Sequence, residues 1–263
     1  MKQLTILFCV LLVVVSCRKK PDPASTSSQP TPIDSVIIDT VGTVSFKVTN
    51  IVGDELLVLK DNWYLNENGD SFKVFVYKYY LSNIAFVRED GTIYSVPESY
   101  YLLDQSNPSS LTFTVENVPV GTYHKIQLII GVDERRNQAG AQTGALDPIH
   151  GMFWDWNTGY IMAKIEGESP QALNPAQIIT YHVGGTKPPY NSVRRVALDL
   201  PTKLEISSLI SPQVLITSDV AEWFKTPNLI KFGESSGAMT PGEEIMMIAD
   251  NYRDMLTVKA IMP

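Results

Sequence analysis

Cysteine is nearly absent from this chain. Its 263 residues hold two, Cys9 and Cys17, both at the N-terminal end. Whatever folds beyond them has no disulfide, no thiol nucleophile and no thiolate metal site. Histidine is scarce too: His124, His150 and His182 are the full set. Copper and zinc sites gather three or four converging donors, with imidazole the favoured nitrogen. One His among Asp and Asn oxygens suits a harder ion, such as calcium, better. The formal charge of -7 argues against nucleic acid, which needs a basic footprint. Beyond residue 17 no apolar run is long enough to cross a bilayer. There is no phosphate loop and no His-Glu-x-x-His motif. No nucleophile–base set is visible, so the sequence does not read as an enzyme.

What is present begins with the leader. Lys2 opens a basic end, Leu4 to Val15 is apolar, and Ser16 precedes Cys17. That is the layout of a secretory signal. A Cys after the small residue follows the bacterial lipobox pattern, so Cys17 is expected to carry the lipid. The chain then divides into a signal peptide (1–16), a lipidated Cys with a flexible Pro-, Ser- and Thr-rich tether (17–33), and one domain (34–263). Arg18, Lys19 and Lys20 either attract anionic headgroups or simply belong to the tether. The expected location is the envelope of a Gram-negative bacterium, as an outer-membrane lipoprotein. The absence of an acidic run after Cys17 favours the periplasmic face over the cell surface.

From Ser35 onward the pattern is β. Val44 to Val48 and Leu111 to Val115 alternate apolar and polar residues, the period of half-buried strands. Asn68-Gly69 and Asp90-Gly91 are hairpin signals. Phe72 to Phe86 is a strand pair or one long bent strand. Pro119 to Tyr123 turns into the apolar run Lys125 to Ile130, and further strands are expected at 157–166, 177–183, 193–200 and 203–209. Near the end, Thr240-Pro241-Gly242-Glu243 reads as a helix start with a Thr cap and Pro at the first position. Ile245, Met246, Ile248 and Met255 follow as its apolar stripe, and Asp219 to Lys225 reads as a shorter helix. The expected fold is mainly β: a single β-sandwich of immunoglobulin-like or Greek-key type, with a long inserted loop and a C-terminal helix.

The inserted loop, 131–167, concentrates the chemistry. Long loops in compact domains are usually functional or disordered, and the aromatic content argues against disorder. Trp154 and Trp156, two apart, share a face on a strand; with Tyr160 they form an exposed platform for a sugar or a partner, or they pack into the core. Trp63 and Trp223 read as core. Asp133, Asp147 and Glu166 form a carboxylate cluster, or Asp133 and Asp147 cap turns. His124 reads as a structural or surface residue and His150 as a surface turn residue or a ligand. His182, beside Gly184-Gly185, is a ligand or a hydrogen-bonded structural residue.

The spaced motifs resemble one family. Gly131-Val-Asp133, Asn137, Gly144-Ala-Leu-Asp147-Pro, Met152-Phe-Trp154-x-Trp156 and Gly159-Tyr160-Ile are similar to the MbnP family. So are Tyr79-Tyr-Leu-Ser82-Asn-Ile, Val118-Pro-x-Gly121-x-Tyr123 and Tyr181-His182-Val-Gly184. These are periplasmic or lipid-anchored proteins, and the C-terminal stretch resembles the Bacteroidetes-type lipoprotein branch. The resemblance implies copper handling. In methanotroph members copper is held by histidine nitrogens and a tryptophan oxidised by a dihaem enzyme of the MbnH type. It implies His182 as a metal ligand with Asn137, Asp133, Asp147 and Met152 nearby. It also implies a dihaem peroxidase of the MbnH type or an outer-membrane transporter as partner. Here the family's Asn-His pair is Asn137-Gln138, the first strand ends at Asn50 where many relatives have His, and Pro188 stands where relatives have Cys. The alternative role is a surface glycan-binding or adhesive accessory protein in nutrient capture.

Overall fold

The structure, a computed structural model, describes residues 40–156 and 159–263. The signal peptide, Cys17, the tether and the first residues of the expected domain, 34–39, lie outside the described residues.

Apolar–polar alternation becomes strand in most places where it occurs. Ten strands of five residues or more carry the fold: β1 (Val41–Val52), β2 (Ser71–Val87), β3 (Tyr100–Asp104), β4 (Thr112–Pro119), β5 (Gly121–Ile130), β6 (Gly159–Glu168), β7 (Ile178–Gly184), β8 (Arg194–Ile206), β9 (Gln213–Asp219) and β10 (Leu256–Met262). In the smaller sheet β1 pairs with β9 in parallel on one edge and with β4 antiparallel on the other, and β10 lies beyond β9. In the larger sheet β8 pairs with β5, β5 and β6 both pair with β2, and β7 pairs with β6. The two sheets face each other as a sandwich. Phe46 of β1 stacks on Phe113 of β4 at 4.9 Å and meets Phe86 of β2 at 6.4 Å across the interior. Trp223 is fully buried, between Tyr77 at 5.7 Å and Tyr252 at 5.2 Å.

The run from Phe72 to Phe86 is one strand. Asn83 interrupts it at φ 52°, where the pairing register with β5 shifts. This strand positions everything that follows. Tyr79 pairs with Leu103 of β3 on one edge and with Ala163 of β6 on the other. Two residues on, Leu81 pairs with Tyr101 of β3 and with Ile130 of β5. So β5 and β6 share one edge of β2, end to end, and the long loop leaves the sheet at the fork between them.

Several local expectations change. The segments 193–200 and 203–209 form one strand, β8, with a register break between Asp199 and Leu204; the chain turns after Ile206. Helix α2 (Glu243–Tyr252) starts later than the Thr240 signal, with Gly242 as its cap and no side-chain cap bond. Glu243 and Glu244 in its first turn suit the helix dipole instead. Pro241 is used elsewhere, packed against Gly185. Met255 lies beyond α2, buried in the turn into β10, a final strand that the helical reading passed over. Residues 220–224 form a short 3-10 turn. Trp63 is not core: it is 47% exposed, with Lys73 Nζ 4.6 Å from its ring centroid.

Candidate functional site

The loop that leaves the fork folds back over the outer face of the larger sheet. There it builds a second hydrophobic cluster from Val132, Leu146, Met152 and Trp154 on Tyr80, Tyr160, Ile161 and Met162. This explains why the middle of β2 is apolar on both faces: Tyr79 points into the sandwich and Tyr80 lies under the loop. Gly131 starts the loop at φ 118°, with the Met162 side chain 3.1 Å from where a β-carbon would stand.

Polar groups fix the loop. Asp133 caps α1 (Glu134–Gln138) by accepting from the Arg136 amide at 3.2 Å, and Tyr100 Oη donates to its other oxygen. Burial and that carboxylate push the Tyr100 phenol well above its ordinary value. Asn137 Oδ1 accepts from the Tyr160 amide at 2.7 Å and its Nδ2 donates to Thr186 Oγ1 at 3.1 Å. Tyr160 Oη donates to the Leu146 carbonyl at 2.7 Å and accepts from the Gln142 amide at 3.1 Å. Asp147 caps the turn Pro148–His150 through the Ile149 amide at 2.9 Å. Lys78 and Lys164, register partners across β2 and β6, donate to the carbonyls of His150 at 3.2 Å and Gly151 at 2.8 Å.

The loop does meet the His-Val-Gly-Gly segment, but at its glycines. The six-membered ring of Trp154 comes within 2.6 Å of the place a Gly184 β-carbon would occupy. Between loop and strand end lies a cleft of about 740 Å³ lined by Asn137, Gln138, Trp154, Lys187, Tyr190 and Pro241. That volume suits a small organic ligand. Trp154 is nearly buried at 6% exposure, while Trp156 is 63% exposed with its ring centroid 5.3 Å away. Lys187 and Tyr190 were not singled out from sequence, and Pro241 was read only as part of a helix start; the Gly184-Gly185 and Pro188-Pro189 pairs beside Lys187 and Tyr190 were the available signal.

The five residues of the expected metal set are placed apart in function. His182 Nε2 lies 2.8 Å from Glu166 Oε1, and Lys164 Nζ lies 3.7 Å from that same oxygen. Burial, then the Lys164 ammonium, holds the His182 imidazole below its ordinary value, against the pull of Glu166. Met152 is fully buried among apolar side chains. Asp133 and Asp147 are helix and turn caps, and both ends of the Asn137 amide are engaged. His150 Nε2 sits 3.0 Å from the Gly144 carbonyl, and His124 Nδ1 is buried without a partner. Among the described residues no three His, Cys, Asp or Glu side chains come together as a cation site. These residues do not fit copper: a soft or borderline ion has no converging imidazoles, and the one well-placed imidazole lies beside an ammonium. Tyr160 is fully buried and belongs to the loop's scaffold, not to an exposed platform. Of the carboxylate trio, Glu166 pairs with His182, away from the two caps.

A two-sheet sandwich with a loop packed as a second core on its outer face is the structural class of this molecule. The chain belongs to the MbnP family, whose signature matches residues 41–247. A solved structure, MbnP from Methylosinus trichosporium, matches with a TM-score of 0.51 at 13% identity, covering 76% of this chain and 83% of that one. At that identity the likeness is one of fold. No curated protein matches the chain by sequence.

Proposed function

We propose that the protein is a non-enzymatic binding protein of the Gram-negative cell envelope, anchored to the outer membrane through Cys17, with its periplasmic face favoured. Its ligand seat is the cleft between the long loop and the Gly185–Tyr190 segment. One observation carries this reading: Trp154 lines a cleft whose wall is held by the paired amide of Asn137, and the exposed Trp156 ring lies 5.3 Å from it. Aromatic faces bury large area at low entropic cost and take the apolar faces of sugars or the side chains of a partner. The ligand class best matched is therefore a glycan. The test is a glycan array with the purified mature protein, wild type against Trp156→Ala. Binding lost in the variant supports the reading; a wild-type array with no signal above background contradicts it.

Copper handling is the second reading, and family membership is what favours it. Its partners would be a dihaem peroxidase of the MbnH type or an outer-membrane transporter. A large oxidising partner would reach Trp156 and not the nearly buried Trp154. Mass spectrometry of the chain after co-expression with such a peroxidase tests this, with oxygen on Trp156 as the supporting result.

A further inference from the structure

We infer that the turn between β8 and β9 is a membrane contact, a hydrophobic tip that sits on the bilayer to which Cys17 is anchored. The inference rests on the lipid-anchor reading and adds to it which end of the sandwich faces the lipid.

The tip is built by hydrogen bonds that turn apolar side chains outward. Ser207 Oγ accepts from the amides of Leu209 at 3.4 Å and Ile210 at 3.1 Å, and Thr43 Oγ1 donates to Ser211 Oγ at 2.8 Å. Leu209 is 92% exposed and Ile210 54%. The same end of the sandwich shows three more exposed apolar residues: Val41 at the start of β1, Val120 between β4 and β5, and Met262 at the end of β10. Pairing puts them together. Val41 faces Pro119, the Val120 amide donates to the Thr40 carbonyl at 2.9 Å, and Met262 faces Gln213 at the start of β9. A surface groove runs between Val41 and Ile210, with Glu116 at its side. Clustered exposed apolar side chains mark a contact surface.

The path of the chain names the occupant. Cys17 stands roughly 23 residues before Thr40, where the described domain begins. Even fully extended, that many residues reach at most roughly 75–85 Å, which keeps the domain near the bilayer at high effective concentration. The first strand begins at Val41, so the end bearing Val41 is the one next to the anchor along the chain. The far tip of β2, where Leu65 pairs with Ser71, lies about 50 Å along the strand from Val87.

The experiment uses the full acylated chain in phosphatidylethanolamine–phosphatidylglycerol vesicles carrying spin-labelled acyl chains. Leu209→Cys and, as the far-end control, Leu65→Cys each receive a thiol-reactive fluorophore; both sites are exposed, so neither change disturbs the core. Mass spectrometry reports the acyl group on Cys17 in the same samples. The expected result is strong quenching at position 209 and none at 65. Acylated protein with equal quenching at both positions, or with none at 209, overturns the contact while leaving the anchor in place. Label shielding at 209 that follows protein concentration without quenching assigns the tip to a second copy and also overturns it. An unacylated Cys17 overturns the anchor reading and the contact together.

Discussion

A β-carbon on Gly184 would stand 2.5 Å from the Trp154 ring. That closeness is what joins the loop to the end of β7 and shapes the wall of the cleft. Gly184→Ala must displace the indole, and overpacking of this kind costs about 1–3 kcal/mol. Chemical denaturation should show that loss. The intrinsic tryptophan fluorescence should shift as Trp154 moves toward water.

Asn137 holds the loop to two strands at once, through the Tyr160 amide and Thr186 Oγ1. Asn137→Ala leaves a buried donor without its acceptor, at a cost of about 1–3 kcal/mol. The expected outcome is lower stability in urea with unchanged overall β content by circular dichroism.

Tyr160→Phe removes one hydroxyl that donates to the Leu146 carbonyl and accepts from the Gln142 amide. The expected loss is about 1 kcal/mol. Hydrogen exchange should locate it, with faster exchange at the Gln142 amide and little change in β1 or β9.

His182 gives a pH dependence of definite sign. Its imidazole lies below the ordinary value because burial and Lys164 disfavour the cation. Between the ordinary value, about 6.5, and the lower native one, the unfolded chain binds a proton that the folded chain does not. Stability therefore falls as pH drops through that window and is fully present above it. His182→Gln should flatten this slope in urea titrations taken across the window.

Much of the sandwich was legible because half-buried strands print a period of two. β1 and β4 are plain alternations, and Asn68-Gly69 and Asp90-Gly91 mark turns where Gly69 and Gly91 take positive φ. The C-terminal helix was legible from its apolar stripe, but its first residue was not. Pro241 satisfies both a helix-start pattern and a packing demand from Gly185, and tertiary contact decided between them. The site was harder to read. The resemblance put the loop residues beside the His182 imidazole, yet His182 points along the outer face of the sheet to Glu166, and neighbours in sequence alternate faces on a strand. Trp63, read as core from its residue type, lies over Lys73 at the surface. Which tryptophan is exposed depends on the loop's own packing, which no local pattern carries.

The proposed binding seat is the loop-built cleft and not an imidazole cage around His182. Copper titration of the mature protein, wild type against His182→Ala, with electron paramagnetic resonance of the copper(II) form, tests it most directly. The two proteins should titrate alike, with no change in histidine-nitrogen coupling between them. A stoichiometric copper site in the wild type, with nitrogen coupling that disappears in His182→Ala, would contradict it.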